Sequence, residues 1–138
     1  MRRRSIMATA FALVPVLLLG RGARAADGEP LYNDADLMFL QHMIVHHEQA
    51  VAMCAWVPER AAHDELVHFA RYVDRGQAAE IAQMQSLLDL AKERGIAIPE
   101  HHLHGDPPMA GMLSTAEMRA IEAAHGAEFE RLWLEGMI

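Results

Sequence analysis

Residues 36–54, DLMFLQHMIVHHEQAVAMC, form one helix-length stretch that holds three histidines, three methionines and the only cysteine of the chain. On an α-helix, residues three and four positions apart share a face. The apolar face predicted for this stretch contains Leu37, Leu40, Met43, Ile44, Ala50, Val51 and Cys54, and His47 falls within it. His46 points about 100° away from His47, so one rigid helix cannot direct both imidazoles at a single ion.

An imidazole inside an apolar stripe needs a polar partner. His47 is therefore either a buried histidine hydrogen-bonded to a neighbouring helix or a metal ligand. Cys54 leaves two similar alternatives, a small buried apolar residue or a soft ligand. A single cysteine in an exported protein also excludes an internal disulfide framework.

The N-terminal residues 1–25 have the order of parts found in a secretory signal peptide. Three arginines at positions 2–4 precede an apolar run over residues 6–19, and Ala23-Arg24-Ala25 is an A-x-A cleavage site. The run is shorter than the roughly 20 residues of a membrane span, which leaves an uncleaved anchor as the alternative. We therefore predict cleavage after Ala25 and a single helical domain over 26–138, periplasmic or secreted.

Cleavage would change the charge of the protein. Five of the 12 Lys+Arg precede the cleavage site, so seven remain against 19 Asp+Glu, a net charge of −12 with neutral histidines. Such a chain lacks the positive charge needed to neutralise phosphates or anionic lipids. The composition predicts neither nucleic acid nor, after cleavage, a membrane as a partner.

Apolar spacing, caps and breakers predict three helices in an all-α antiparallel bundle. The first spans 34–57, with Asn33 or Asp34 as the N-cap and Pro58 as its end. The second spans 64–94 and places Gly95 at the C′ position. The third spans 115–138 and opens with the capping-box sequence Ser114-Thr115-Ala116-Glu117.

Two of these helices bring further polar and sulfur-containing side chains to the interior. Glu80 and Met84 lie toward the apolar face of the second helix, where a carboxylate is costly unless it is paired, metal-bound or at an edge that reaches solvent. If the first two helices pack antiparallel, these side chains and those of Met43 and His47 face the same interior. A histidine, two thioethers and a carboxylate are then expected to converge.

The rest of the chain holds a loop and a short repeat. Residues 95–113 are rich in glycine and proline, and the loop carries five potential donors that are either ligands or solvated side chains: His101, His102, His104, Met109 and Met112. Shifted by 94 positions, residues 130–138 (ERLWLEGMI) align with residues 36–44 (DLMFLQHMI). The repeat predicts a truncated second copy of the first helix from about residue 127.

Four stretches resemble the domain of unknown function 305 family of exported bacterial proteins: FLQHMIVHHEQAVAM at 39–53, QAAEIAQM at 77–84, MAGMLS at 109–114 and AEFERLWLEGMI at 127–138. The resemblance implies a bundle of the ferritin-like superfamily that lacks the family's final helix, and for some members a link to copper. Carried over by position, it implies the metal ligands Met43, His46, His47, Met53, Glu80 and Met84.

These observations favour an exported copper-binding protein that uses Met and His side chains, because thioether and imidazole ligands suit Cu(I). A metal-free helical interaction module, or a protein that forms a homo-oligomer, is the alternative. A ferritin-like di-iron enzyme is a third hypothesis, which rests on Glu65-x-x-His68 and Glu122-x-x-His125. The sequence contains no nucleophile–base pair, phosphate-binding loop or cofactor fingerprint, so binding is favoured over catalysis.

Overall fold

The structure is a computed structural model that describes residues 32–100 and 109–137. Four α-helices make up most of these residues. They are α1 (Asp34–Arg60), α2 (Asp64–Glu93), α3 (Thr115–Ala123) and α4 (Gly126–Gly136). The described residues contain no strand. The predicted all-α bundle is therefore confirmed, although it has four helices where three were predicted. The predicted signal peptide, residues 1–25, lies outside the described residues.

α1 begins with a capping box formed by Asn33 and Asp36. The Asn33 side chain accepts the Asp36 N–H at 3.0 Å, and the Asp36 carboxylate accepts the Asn33 N–H at 3.0 Å. Each side chain thus satisfies a backbone N–H that has no partner within the helix. Of the two predicted N-caps, Asn33 is the one used.

The predicted end of α1 at Val57 is wrong, because Pro58 lies inside the helix and α1 continues to Arg60. Proline removes its own N–H but leaves the following residues free to be helical. The Ala61 N–H donates to the Val57 carbonyl at 3.0 Å and closes the last turn beyond the proline. At this C-terminal position, one lost hydrogen bond is not enough to stop the helix.

α2 ends in a Schellman motif at the predicted glycine. Gly95 has φ of +75°, which costs glycine little because it has no Cβ. Its N–H donates to the Lys92 carbonyl at 2.9 Å, and the Ile96 N–H donates to the Ala91 carbonyl at 3.0 Å. These two bonds satisfy carbonyls at the helix end, so the prediction of Gly95 at C′ is confirmed.

α1 and α2 form an antiparallel hairpin. Near the start of α1, Leu37 packs against Leu88 and Ala91 near the end of α2. Toward the end of α1, Val57 packs against Leu66 at the start of α2. This pairing of opposite ends places the middle of α1, which carries the adjacent histidines, beside the middle of α2.

The predicted single helix over 115–138 is wrong, because the chain breaks between α3 and α4. The two residues before Gly126 have extended backbones, with ψ of 159° each, and Gly126 has φ of +59°. On a straight helix, Ile121 and Trp133 would point about 120° apart. The break lets both side chains enter the same core.

Ser114 and Glu117 start α3 with the capping box that the sequence predicts. The Ser114 side chain accepts the Glu117 N–H at 3.3 Å, and the Glu117 carboxylate accepts the Ser114 N–H at 2.8 Å. The predicted start of the third helix is thereby confirmed. The sequence therefore placed the beginning of this segment correctly and missed only its break.

Two groups of buried side chains form the interior. The larger joins all four helices and consists of Met53, Cys54, Val57, Leu66, Ala70, Ile121, Phe129 and Trp133. The smaller consists of Leu37, Leu88 and Ala91. Within residues 32–100 and 109–137, no helix combines the length and apolar character that a membrane span requires. The larger group holds α4 against α1 close to the adjacent histidines.

Candidate metal-binding site

His46 and His47 are neighbours on α1 but contact different parts of the fold. Their ring centroids lie 6.0 Å apart, with the ring planes at 61°. His46 lines a small cavity that also includes Gly111 and residues of α4. His47 faces α2, where it meets Glu80. The two imidazoles therefore have separate surroundings, as their angular separation on the helix requires.

The cavity beside His46, here called the His46 cavity, has a volume of about 150 Å³. It is lined by His46, Gln49, Ala50, Met53, Gln77, Gly111, Gly136 and Met137. One histidine and two methionines, Met53 and Met137, therefore line one small space. Sulfur and imidazole nitrogen are soft and borderline donors, the combination that suits Cu(I).

Close packing of α4 on α1 brings the two methionines to this cavity. The Trp133 indole N–H donates to the Met53 carbonyl at 3.1 Å, and the side chains of both residues are buried. A Cβ atom at Gly136 would lie 3.1 Å from Met53 Cε and 2.9 Å from Leu113 Cδ1. Glycine at this position thus permits the close approach. Met137 follows directly as the C-cap of α4, so its place depends on that approach.

The segment before α3 forms another wall of the His46 cavity. Gly111 has φ of +86°, and a Cβ atom there would lie 3.8 Å from His46 Nε2. Gln49 fixes Leu113, two positions after Gly111, with two hydrogen bonds. Its Nε2 donates to the Leu113 carbonyl at 2.9 Å, and its Oε1 accepts the Leu113 N–H at 2.8 Å. This wall is therefore attached to α1 by a side-chain amide.

Gln77 of α2 is also among the residues that line the cavity. Its side-chain oxygen is buried and has no hydrogen-bond partner. Buried polar atoms normally have a partner, and those that do not call for a bound water, an ion or another specific explanation. The cavity thus combines soft donors with an oxygen whose hydrogen-bonding capacity is unused.

His47 of α1 and Glu80 of α2 are two titratable side chains that contact each other. His47 Nε2 lies 2.6 Å from Glu80 Oε2, and the two side chains are 12% and 57% exposed. An ionised carboxylate can only accept, so Nε2 carries the proton in this contact. In the neutral imidazole, Nδ1 then has a free lone pair, and this atom is buried without a partner. Metal-ligating histidines commonly donate their second nitrogen to a carboxylate in this way.

Met43 and Met84 lie one helical turn from this pair, Met43 before His47 on α1 and Met84 after Glu80 on α2. Both methionines are partly buried, and neither lines the His46 cavity. The predicted ligands His46 and Met53 do line this cavity. The six predicted ligands therefore divide between two neighbouring places, and their role in metal binding stays a prediction.

Clusters of harder ligands are not found in the described part of the chain. Residues 32–100 and 109–137 contain no group of three or more His, Cys, Asp or Glu side chains suited to a metal ion. The di-iron hypothesis rests on four side chains that are all exposed: Glu65, His68, Glu122 and His125. The predicted loop donors His101, His102 and His104 lie outside the described residues.

Cys54 belongs to the core. Its side chain is buried in the larger group of apolar residues, and this burial, together with the nearby Asp74 carboxylate, raises the pKa of its thiol to about 11. Because metals bind the thiolate, a high pKa opposes a ligand role. Of the two alternatives, the geometry favours a small buried apolar residue.

Comparison with known proteins places this architecture in a family. The family described as "Domain of unknown function (DUF305)" matches residues 36–138. The chain belongs to the DUF305 family. A DUF305 protein of known crystal structure from Streptomyces coelicolor, described as secreted, is 32% identical to this chain with a TM-score of 0.61. The match covers 75% of this chain and 63% of the Streptomyces protein, so this chain spans less than two thirds of its length. No curated protein matches this chain.

One potential ligand of this DUF305 protein was missed at the sequence level. Met137 lines the His46 cavity, but a straight helix over 115–138 does not bring it to α1. The internal repeat contained the signal, because a shift of 94 residues aligns Met137 with Met43, already a predicted ligand. The same shift aligns Trp133 with Phe39.

Proposed function

We propose that this DUF305 protein is exported and binds Cu(I) in the His46 cavity. The observation that carries the proposal is the shared cavity of His46, Met53 and Met137, which come from α1 and α4. Two thioethers and one imidazole form a neutral, soft donor set when the imidazole is unprotonated. Such donors bind a soft monovalent ion without leaving buried negative charge behind when the ion departs.

The chemistry of the donor set favours Cu(I) over other common metals. Structural zinc sites normally take four Cys or His ligands, and magnesium and calcium sites take oxygen ligands. Thioether sulfur is a ligand that selects Cu(I). Methionine also fills irregular gaps in apolar cores, and Met53 has that role too because it is fully buried beside Trp133.

The His46 cavity is too small for a drug-sized ligand. A volume of about 150 Å³ equals the liquid volume of roughly five water molecules, whereas drug-sized ligands occupy about 300–1,000 Å³. The side-chain oxygen of Gln77, a residue that lines the cavity, is buried and has no hydrogen-bond partner among the described residues. The proposal gives the chain a role in holding copper and assigns it no reaction.

The predicted ligands on the other side of α1 extend this proposal. Glu80 holds His47 Nε2 at 2.6 Å, which leaves Nδ1 as the nitrogen able to bind a metal. Met43 and Met84 add thioethers one turn away on α1 and α2. These four residues are a second place where Cu(I) would find imidazole and sulfur together.

Two observations support export. The N-terminal sequence has the charged, apolar and cleavage regions of a signal peptide in the required order. The Streptomyces DUF305 protein is described as secreted. Outside the cytoplasm, thioethers have an advantage over thiolates as copper ligands because they do not form disulfides.

The test is an anaerobic titration with Cu(I) in competition with a coloured chelator. We expect binding by the wild-type protein and a loss of about 100-fold in affinity in His46→Ala, the upper end of changes seen for residues around metal sites. His125→Ala is the matched control, since His125 is an exposed histidine outside the cavity. Equal affinity of the wild type and His46→Ala would overturn the proposal.

A metal-free interaction module is the second candidate, and one observation favours it. Phe69 and Tyr72 lie three residues apart on α2, and they are 50% and 71% exposed. Exposed aromatic side chains on one helix face are typical of contact surfaces. Sedimentation of the wild type and Tyr72→Ser separates the two functions. A wild-type oligomer that Tyr72→Ser dissociates, in a protein that binds no Cu(I), would support the interaction module.

A further inference from the structure

The Glu130 carboxylate of α4 binds Ala62 and His63 in the connection between α1 and α2. These contacts are called the grip of Glu130 below. Glu130 Oε1 accepts the Ala62 N–H at 2.9 Å and the His63 N–H at 2.8 Å. Its Oε2 lies 2.8 Å from His63 Nδ1. All three contacts join residues more than 60 positions apart in the sequence, so they are tertiary contacts that hold α4 in place.

This carboxylate does the work of a helix cap that α2 lacks. His63 is the N-cap of α2, and its side chain makes no capping hydrogen bond. The first N–H groups of a helix have no partner within it, and the positive end of the helix dipole attracts an anion. Asp64 and Glu65 lie in the first turn of α2, and Glu130 adds a further negative charge from another element. Loss of that charge therefore weakens both the start of α2 and the attachment of α4.

The contact between His63 and Glu130 depends on pH because both side chains titrate. The hydrogen bond to the Glu130 carboxylate raises the pKa of His63, and the nearby Glu65 adds to this effect. The hydrogen bond from His63 lowers the pKa of Glu130, and the backbone N–H groups of His63 and Ala62 add to it. Other nearby charges are engaged elsewhere: Arg131 binds Glu128 and Glu135, and Arg60 Nε donates to the Glu122 carbonyl.

α4 connects this grip to the His46 cavity. Glu130 and Met137 lie on one short helix about 10 Å apart along its axis, and Gly136 and Met137 both line the cavity. The remaining polar tie of α4 to α1 is the hydrogen bond from Trp133 to the Met53 carbonyl. That bond involves no group that titrates, whereas the contact between Glu130 and His63 joins two that do.

We infer that Glu130 is a positioning residue for the His46 cavity, and that His63 makes its hold on α4 depend on pH. The grip itself follows from the contacts above. Its effect on copper rests on the proposed function. In this arrangement the contacts of Glu130 help to hold Met137 at the cavity, and these contacts weaken when either partner of the pair loses its charge.

The directions of the two pKa changes define the pH window. The contribution of His63 is fully present below its ordinary pKa of 6.5 and is lost as the pH rises through the raised pKa of the folded protein. The contribution of Glu130 is fully present above its ordinary pKa of 4.5 and is lost as the pH falls through the lowered pKa. The grip is strongest between about 4.5 and about 6.5.

The first experiment follows Trp133 in a Trp56→Phe background, where Trp133 is the only tryptophan. Urea midpoints are measured from its emission at pH values from acid to mildly alkaline. We expect the midpoint to be highest inside the window and to fall on both sides. Glu130→Gln keeps an oxygen for the two backbone N–H groups but has no charge, so the difference between the two proteins should vanish below the window, where Glu130 is protonated, and only become smaller above it, where His63 alone loses its charge.

His63→Ala and His125→Ala complete the set. We expect His63→Ala to lose the alkaline fall and keep the acidic one, because Glu130 still caps α2. His125→Ala, an exposed histidine that is the N-cap of α4 and makes no side-chain capping bond, should keep the profile of the wild type. Parallel profiles for the wild type, Glu130→Gln and His63→Ala would overturn the inference, because a purely structural role predicts a difference that does not vary with pH.

A Cu(I) titration at two pH values tests the link to the cavity. We expect Glu130→Gln to bind Cu(I) about tenfold more weakly than the wild type inside the window, the effect of one charge-assisted hydrogen bond, and equally at a pH below it. If the urea profiles are as expected but the wild type binds no Cu(I), the proposed function is overturned and the grip of Glu130 is still supported. Cu(I) binding that Glu130→Gln does not change would overturn the positioning role.

Discussion

His46 and His47 differ in which parts of the fold contact them. The partner of His47 comes from α2, the next helix in the chain, and the contact needs only the hairpin of α1 and α2. The surroundings of His46 come from α4 and the turn at Gly111, more than 60 residues away. Two adjacent residues of one helix thus belong to a local carboxylate pair and to a cavity that exists only when the whole domain has folded.

This difference separates two kinds of site. A histidine–carboxylate pair that is half-exposed exchanges protons and ions with solvent and contributes little to stability. A cavity lined by two methionines and a histidine offers the kinds of donor that suit a soft ion. The comparison predicts that changes on the α4 side alter copper binding and folding together, whereas changes on the α2 side alter neither by much.

The largest effect expected is on copper affinity, in a comparison of the repeat-related methionines. Met137→Leu should lower Cu(I) affinity by about 100-fold, or about 2.7 kcal/mol, because it removes one thioether from the cavity. Met43→Leu should lower it by less than about tenfold. Competition titrations with a coloured chelator measure both. The reverse order would move the main site to the side of His47 and Glu80.

The next effect is on the reactivity of Cys54. With its pKa raised to about 11 by burial, the folded protein holds at least about 100-fold less thiolate near pH 8 than an unperturbed cysteine does. Alkylation should be slower by about that factor than in urea, and Cu(I) should not change it. Protection of Cys54 by Cu(I) in the folded protein would instead make the thiol a copper ligand.

A smaller effect is expected on stability, from two glycine substitutions. Gly136→Ala places a Cβ within 3.2 Å of three side chains and should lower the free energy of unfolding by about 2 kcal/mol. Gly76→Ala, in the middle of α2 with no atom within 4 Å of the new Cβ, should raise it by about 0.5–1 kcal/mol. Urea denaturation measures both. Equal shifts in the two variants would show that α4 packs loosely on α1.

The smallest effect should come from Glu80→Gln. The amide oxygen still accepts the His47 N–H, and the lost charge is more than half exposed. We expect the free energy of unfolding to change by less than about 1 kcal/mol and Cu(I) affinity to stay near that of the wild type. Denaturation and titration of the same preparation test this. A loss as large as that of Met137→Leu would make the pair part of the main site.

Local signals predicted most of the fold. Capping residues at Asn33 and Ser114 and the glycine at the end of α2 have their effect within a few residues, so the sequence shows them directly. The contact between His47 and Glu80 was expected from two apolar stripes and an antiparallel hairpin. These inferences depend on helix periodicity alone.

The unpredicted features depend on tertiary contacts. The break at Gly126 interrupts a periodic apolar pattern, and it is stabilised because Ile121 and Trp133 then share one core. Phe39 and Trp133 show the same limit, because they occupy equivalent repeat positions and yet are 61% and 0% exposed. Local sequence cannot distinguish them, since their burial depends on which helix lies opposite. The place of Met137 in the cavity follows from these same contacts.

The amide pair of Gln49 and Leu113 has a consequence for the order in which ligands would leave an ion. Neither the side-chain amide nor the backbone amide titrates, so this wall of the cavity stays attached whenever the domain is folded. The opposite wall is carried by α4, whose attachment includes a charged pair. In the proposed copper site, His46 would therefore lie beside the wall that stays attached, and Met137 on the wall whose attachment depends on pH. Copper would be captured by His46 first and enclosed by Met137 last, and release would begin with the thioether.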